Sequence, residues 1–208
     1  MTSIDPQTTQ LSGMLVQPIA HRIEEWTKSG KLDEDDLERA LPGIARDWVD
    51  HSIAASDWAP LEDVERLVTL AAEQLGGETG LVEWADEIVR GWLLDSSVEA
   101  LVANARHLVD RPGYVVSQVT ERLVQSASWR YEGGRTGFSV RLCGLSKMSP
   151  ALKSLIGACL VQLATVADER EVDARFEGVE ASELVIFGEV EAAMEGRAES
   201  RLHRAALR

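Results

Sequence analysis

The chain has 208 residues, of which 45% are hydrophobic and 27% charged, and a formal net charge of −14. That composition fits one globular domain with a sizeable core. The acidic balance argues against non-specific nucleic-acid binding, which needs Lys and Arg to neutralise phosphates, and against docking on an anionic membrane surface. The polar start, Met1 to Gln10, carries no charged-then-apolar leader pattern, and no apolar run is expected to reach the ~18–20 residues that span a bilayer. Two cysteines, Cys143 and Cys159, are too few for a disulfide framework or a four-ligand zinc site, so a reducing cytoplasm is the expected setting.

Residues 1–10 read as a disordered N-terminus. From Leu11 to Lys28, Leu11, Met14, Leu15, Ile19, Ile23 and Trp26 recur at near-helical spacing until Ser29-Gly30 ends the run. Acids crowd Asp33 to Asp36 at a helix start, where they complement the macrodipole; the cluster lacks the glycine and terminal glutamate of a calcium loop. Pro42 splits this segment and leaves Ile44, Trp48 and Val49 as a second apolar face. After a Trp58-Ala59-Pro60 turn, Leu61, Val64, Leu67, Val68, Ala71 and Leu75 line one helix face, stopped by Gly76-Gly77. Leu81, Trp84, Ile88 and Trp92 form the stripe of the next helix. Ser96 or Ser97 opens another, with Val98, Leu101, Val102, Ala105, Leu108 and Val109 inward, ending before Arg111-Pro112-Gly113. A further helix is expected over Val115 to Ala127.

Then the pattern changes to alternation. Trp129 to Tyr131 and Thr136 to Cys143 read as strands around Glu132-Gly133-Gly134-Arg135, a turn in which glycine supplies positive φ. Ser149-Pro150 is a cap with a first-turn proline, opening a helix to about Asp168 that is apolar nearly all round and so buried. Gly157-Ala158 marks a close approach on it. Glu171 to Glu177 and Glu183 to Glu191 make a second hairpin around Gly178, and 192–208 is a basic tail. The fold expected is α+β, in a single domain over residues 11–191. Its helical part, 11–127, precedes a four-stranded antiparallel sheet, 128–191, in the order β-β-α-β-β, with a long buried helix on one face.

This order of parts resembles the haem-nitric-oxide-binding superfamily and the related four-vinyl-reductase-type ligand-binding domains. It is most similar in layout to a haem-less paralogous domain family of unknown function found in myxobacteria. The segments that carry the likeness are "WAPLEDVERLVTLAAEQLG", the helices from Gly80 to Ala127, and "WRYEGG…GFSVRLCGLSKMSPALKSLIGACLVQLA…VDARFEG…LVIFGEV". In the haem-binding branch a histidine on the helix before the sheet ligates iron, and a Tyr-x-Ser-x-Arg motif holds the propionates. Carried onto this chain, the iron ligand would be His107. Tyr131-Glu132-Gly133-Gly134-Arg135 matches that motif except for Gly133 in place of serine. The hairpin reading makes this stretch an exposed turn, so no cofactor is expected.

Other chemistry is sparse. His21 with Glu24 or Glu25 has the i, i+3/i+4 spacing of half a di-metal site, but no second pair faces it, so it reads as a surface pair and no metal is expected. No Gly-x-Ser-x-Gly, phosphate-binding loop or dinucleotide fingerprint occurs, and no catalytic residues are assigned. Trp84, Trp92, Leu108 and Cys159 are the candidate lining of an apolar pocket between the helical part and the sheet. The resulting expectation is a non-catalytic bacterial signalling or assembly module acting through protein contacts, with homodimerisation and a small apolar ligand in view. The alternatives are a haem or tetrapyrrole gas sensor using His107, and an enzyme whose site matches no familiar motif.

Overall fold

Caps and breakers set the element boundaries of the N-terminal half. The computed structural model describes residues 9–125 and 127–190. The expected basic tail lies outside them, as do the first eight residues of the expected disordered start. Gln10, however, opens a strand, β1 (Gln10–Ser12). The Ser12 hydroxyl accepts from the Met14 amide, so α1 begins at Gly13 and runs to Lys28, and Leu11 is buried in the strand instead of on the helix. Asp33 caps α2 (Glu34–Ala40) by accepting from the Asp35 amide at 2.9 Å. Pro42 and Gly43 (φ +70°) turn the chain into α3 (Ile44–His51). The inward face of this short helix is Ala45, Trp48 and Val49. Ile44 lies one position off that stripe and is 48% exposed, contrary to the sequence reading.

The Trp58-Ala59-Pro60 segment is a strand, β2 (Trp58–Pro60), where a turn was expected. It pairs antiparallel with β1, which also pairs with β3 (Val124–Gln125), giving a small sheet in the order β2-β1-β3. Next come α4 (Leu61–Leu75), stopped by left-handed Gly76, and α5 (Glu78–Leu94). α6 (Ser96–Asn104) is capped by Asp95 and runs into a single 3-10 turn, Ala105–His107. The helix therefore ends before Leu108, which is half-buried, and Val109, which is 55% exposed. Arg111-Pro112-Gly113 starts α7 (Arg111–Leu123) instead of ending its predecessor, because proline lacks the N–H that the first turn leaves unused.

The C-terminal part follows the expected order: β4 (Ser128–Gly133), β5 (Gly137–Cys143), α8 (Pro150–Ala167), β6 (Val172–Glu177) and β7 (Glu183–Val190). The four strands form an antiparallel sheet in the order β4-β5-β7-β6. In register, Tyr131, Val140, Ile186 and Phe176 sit across one another. Val140, Leu142, Leu184 and Ile186 are fully buried beneath α7 and α8. Neither Gly133 nor Gly134 has positive φ. Gly133 leaves room instead for a side-chain pair: a Cβ there would sit 1.6 Å from an Asp110 carboxylate oxygen, which would have to shift. The close approach expected on α8 is real, since a Cβ on Gly157 would meet the Phe176 ring at 2.6 Å.

α8 separates α5 from the sheet. Its 18 residues have a mean hydropathy of 1.5, long and apolar enough by composition to cross a membrane, which the sequence reading did not anticipate; 67% of them are buried inside the protein. Polar contacts set its depth. Glu65 of α4 accepts from both the amide (2.7 Å) and the hydroxyl (2.5 Å) of Ser149, the α8 cap. Ser154 donates to Glu78 of α5, and buried Lys153 donates to the Val179 and Ala181 carbonyls at 3.0 and 2.7 Å. Thermal or urea unfolding should show Leu155→Ala or Leu160→Ala costing about 2–5 kcal/mol. Arg135→Ala, at an exposed turn, should stay within about 0.5 kcal/mol. The reverse ranking would contradict this layering.

Candidate functional site

Pro18 lies inside α1. A proline has no N–H, so the carbonyl four residues earlier, that of Met14, loses its helical partner. The indole N–H of Trp92, on α5, donates to that carbonyl at 2.9 Å in buried surroundings. At the other end Arg22 pairs with Glu87 and lies 5.9 Å from the centre of the Trp84 ring. α1 and α5 therefore run antiparallel. The segment between α3 and β2 closes one end of the gap between them. Its Ala55 carbonyl accepts from the Met14 amide and the Ser12 hydroxyl, both at 3.1 Å, and its Asp57 carbonyl accepts from the Gly13 amide at 2.7 Å. A Cβ on Gly13 would lie 2.0 Å from the Ala54 carbonyl oxygen, so glycine permits this clamp. Ser52, at φ +65°, is the strained residue in the segment.

The result is a groove of about 380 Å³ between α1 and α5, open along one side. Met14, Pro18, Ala55, Ile88 and Trp92 give it apolar walls; Gln17, His21, Ser52 and Asp95 add polar groups. Gly91 leaves α5 bare at this face, with no neighbouring heavy atom within 4 Å of where a Cβ would be. Asp95 Oδ1 accepts from the Ser97 amide and hydroxyl, and these bonds, the hydroxyl's foremost, hold the Asp95 carboxyl below its usual range.

Of the four residues expected to line an apolar pocket, only Trp92 lines this groove. Trp84 and Cys159 lie within the packed core, where burial pushes the Cys159 thiol well up. Leu108 lies elsewhere, beside Arg106, Arg111 and Arg170. His21 sits within 3.4 Å of Glu24 and 3.5 Å of Glu25 on the surface, and no group of three or more metal-ligating side chains exists among the described residues. The sequence reading missed Met14, Gln17, Pro18, Ser52, Ala55, Gly91 and Asp95 as site residues. Its one available signal was a proline within an otherwise helical run.

The residues do not fit a haem. His107 is exposed in the 3-10 turn, and the layer between α5, α8 and the sheet is filled by Leu81, Leu142, Leu155 and Cys159, each without exposure. Tyr131 is half-buried, where an exposed turn was expected, but its hydroxyl is spent on the Asp110 carboxylate ahead of α7. Burial raises the Asp110 carboxyl, and burial together with that carboxylate raises the Tyr131 phenol. A propionate would meet a carboxylate there instead of a free donor.

Trp92→Phe should cost about 1–3 kcal/mol in unfolding measurements, because the Met14 carbonyl is left buried and unpaired. Restoring a helical amide with Pro18→Ala should recover more stability in the Trp92→Phe background than in the wild type, with a coupling of about 1 kcal/mol. Strict additivity would show that the indole bond does not replace the helical one.

No family model matches the chain, and neither does any curated protein. Solved structures do. The Fe(II) unliganded H-NOX protein from K. algicida is similar at a TM-score of 0.54 and 8% identity, over 90% of this chain and 100% of that one. A point mutant of the same protein gives a TM-score of 0.57 at 7% identity, over 88% of this chain and 98% of that one. The likeness is one of fold, and the α+β chain with its four-stranded antiparallel sheet adopts an H-NOX-like architecture.

Proposed function

We propose that this H-NOX-like domain works without haem, as a non-catalytic cytoplasmic module of bacterial signalling or assembly. It takes a small, mainly apolar ligand in the groove between α1 and α5 and acts through protein contacts, homodimerisation included. The observation that carries this reading is the contrast between a filled interior and an open groove of about 380 Å³ walled by Trp92, Ile88, Met14 and Pro18. Ligand sites are concave, mostly apolar and marked by a few polar groups, and the groove has that make-up. Leu94, 87% exposed, adjoins Asp95 at the groove and offers an apolar contact for a partner that senses occupancy. The fold supports ligand binding by analogy with the H-NOX structures, and the absence of a buried histidine among the described residues supports the haem-less branch.

The second reading, a haem sensor ligated by His107, draws on the same fold likeness to proteins described as Fe(II) H-NOX. Two titrations separate the readings. A neutral naphthalene probe should bind saturably to the wild type, and Gly91→Leu, which fills the groove at a position with room for a side chain, should abolish that binding without loss of helix signal. Haemin should give no stoichiometric Soret band. Saturable haemin uptake with a band that His107→Ala removes would establish the haem reading instead.

A further inference from the structure

Building on the proposed ligand groove, we infer that it selects amphipathic cations: ligands with an apolar body roughly two helical turns long and one ammonium group seated at Asp95. Among the described residues that line the groove Asp95 is the sole carboxylate and there is no lysine or arginine; Arg122 acts on Asp95 from outside that lining. Both hydrogen bonds from Ser97 land on Asp95 Oδ1 and fix the carboxylate, on which the Val98 amide and the charge of Arg122 also act. Trp92 is three residues earlier on the same helical face, so a cation at Asp95 also lies near an indole ring, the best aromatic partner for positive charge.

The groove's length sets the body of the ligand. On α1 it runs from Met14 to His21 and on α5 from Ile88 to Asp95, seven helical steps each, or roughly 10 Å at the helical rise. Met14 and Asp95 stand at one end, Ile88 and His21 at the other. At that far end Glu24 and Glu25 surround His21, so a second, acidic terminus on the ligand meets like charge. The net charge of −14 acts in the same sense, drawing cations and repelling carboxylate amphiphiles. Fatty acids and dicarboxylate tetrapyrroles are thereby disfavoured, whereas aryl-alkyl amines of about bicyclic size fit.

The test is calorimetric titration of the full chain with three isosteres at low ionic strength: 2-(2-naphthyl)ethylammonium, the matching alcohol and the matching carboxylate. The ammonium should bind about tenfold more tightly than the alcohol, as one partly exposed ion pair and one indole contact together allow, with the carboxylate weakest. Asp95→Asn keeps the α6 cap, because asparagine caps as well as aspartate, and should bring the amine and alcohol within about twofold. Gly91→Leu should remove binding of both. Equal binding of amine and alcohol, each lost in Gly91→Leu, would overturn charge selection and leave the groove standing. An amine preference that survives Asp95→Asn would overturn the role of Asp95. No Gly91-sensitive binding by any of the three would overturn both the cation preference and the groove itself.

Discussion

A proline in the middle of α1 removes one backbone donor, and the indole of Trp92 replaces it. Most of what distinguishes this domain depends on that exchange. The carbonyl of Met14 is buried, and a buried carbonyl without a partner is expensive, so α5 must present Trp92 at one height along α1. The Arg22 contacts with Glu87 and Trp84 then fix the antiparallel alignment of the two helices. Because Gly91 stands beside Trp92 with no side chain, the two helices leave a groove between their outer faces. The α3–β2 segment, hydrogen-bonded to the first turn of α1, closes one end of it.

The same arrangement sets how the centre of this H-NOX-like fold is packed. α8 lies between α5 and the sheet, and its apolar circumference needs partners on every side. α5 supplies Leu81, and the sheet supplies Leu142, Leu184 and Ile186, all without exposure. Three polar attachments set the depth of α8: Glu65 at its cap, Glu78 at Ser154, and Lys153 holding the β6–β7 turn. The open groove lies instead at the α1–α5 face, where Pro18 and Gly91 are among the lining residues.

Legibility in the sequence followed the strength of the local signal. α4, α5 and α8 carry long, regular apolar stripes, and the β6–β7 hairpin turns at Gly178 with φ +93°, so their types and approximate limits could be read directly. Strands of two or three residues such as β1, β2 and β3 are too short for alternation to register; they exist because β1 pairs with segments about 50 and 113 positions away along the chain. Arg111-Pro112-Gly113 fits a helix end as well as a helix start, and in the structure it opens α7. The positive φ expected of Gly133-Gly134 is absent, and at Gly133 the missing side chain makes room for Asp110 and Tyr131 instead. The groove was least legible, because α1, α5 and the α3–β2 segment contribute to it through contacts that no local pattern encodes. Pro18 was the one local clue, and its meaning depended on knowing which donor answered Met14.

The central claim is that ligands bind beside Trp92 while the interior stays packed. Indole N–H resonances in a 15N-labelled sample test this directly, with Trp92 and Trp84 assigned by single substitution. The Trp92 indole should exchange slowly with solvent in the free protein and show the largest shift on titration with an aryl-alkyl ammonium, while Trp84 stays in place. Movement of Trp84 with Trp92 unaffected would place the binding site inside the core and contradict the account.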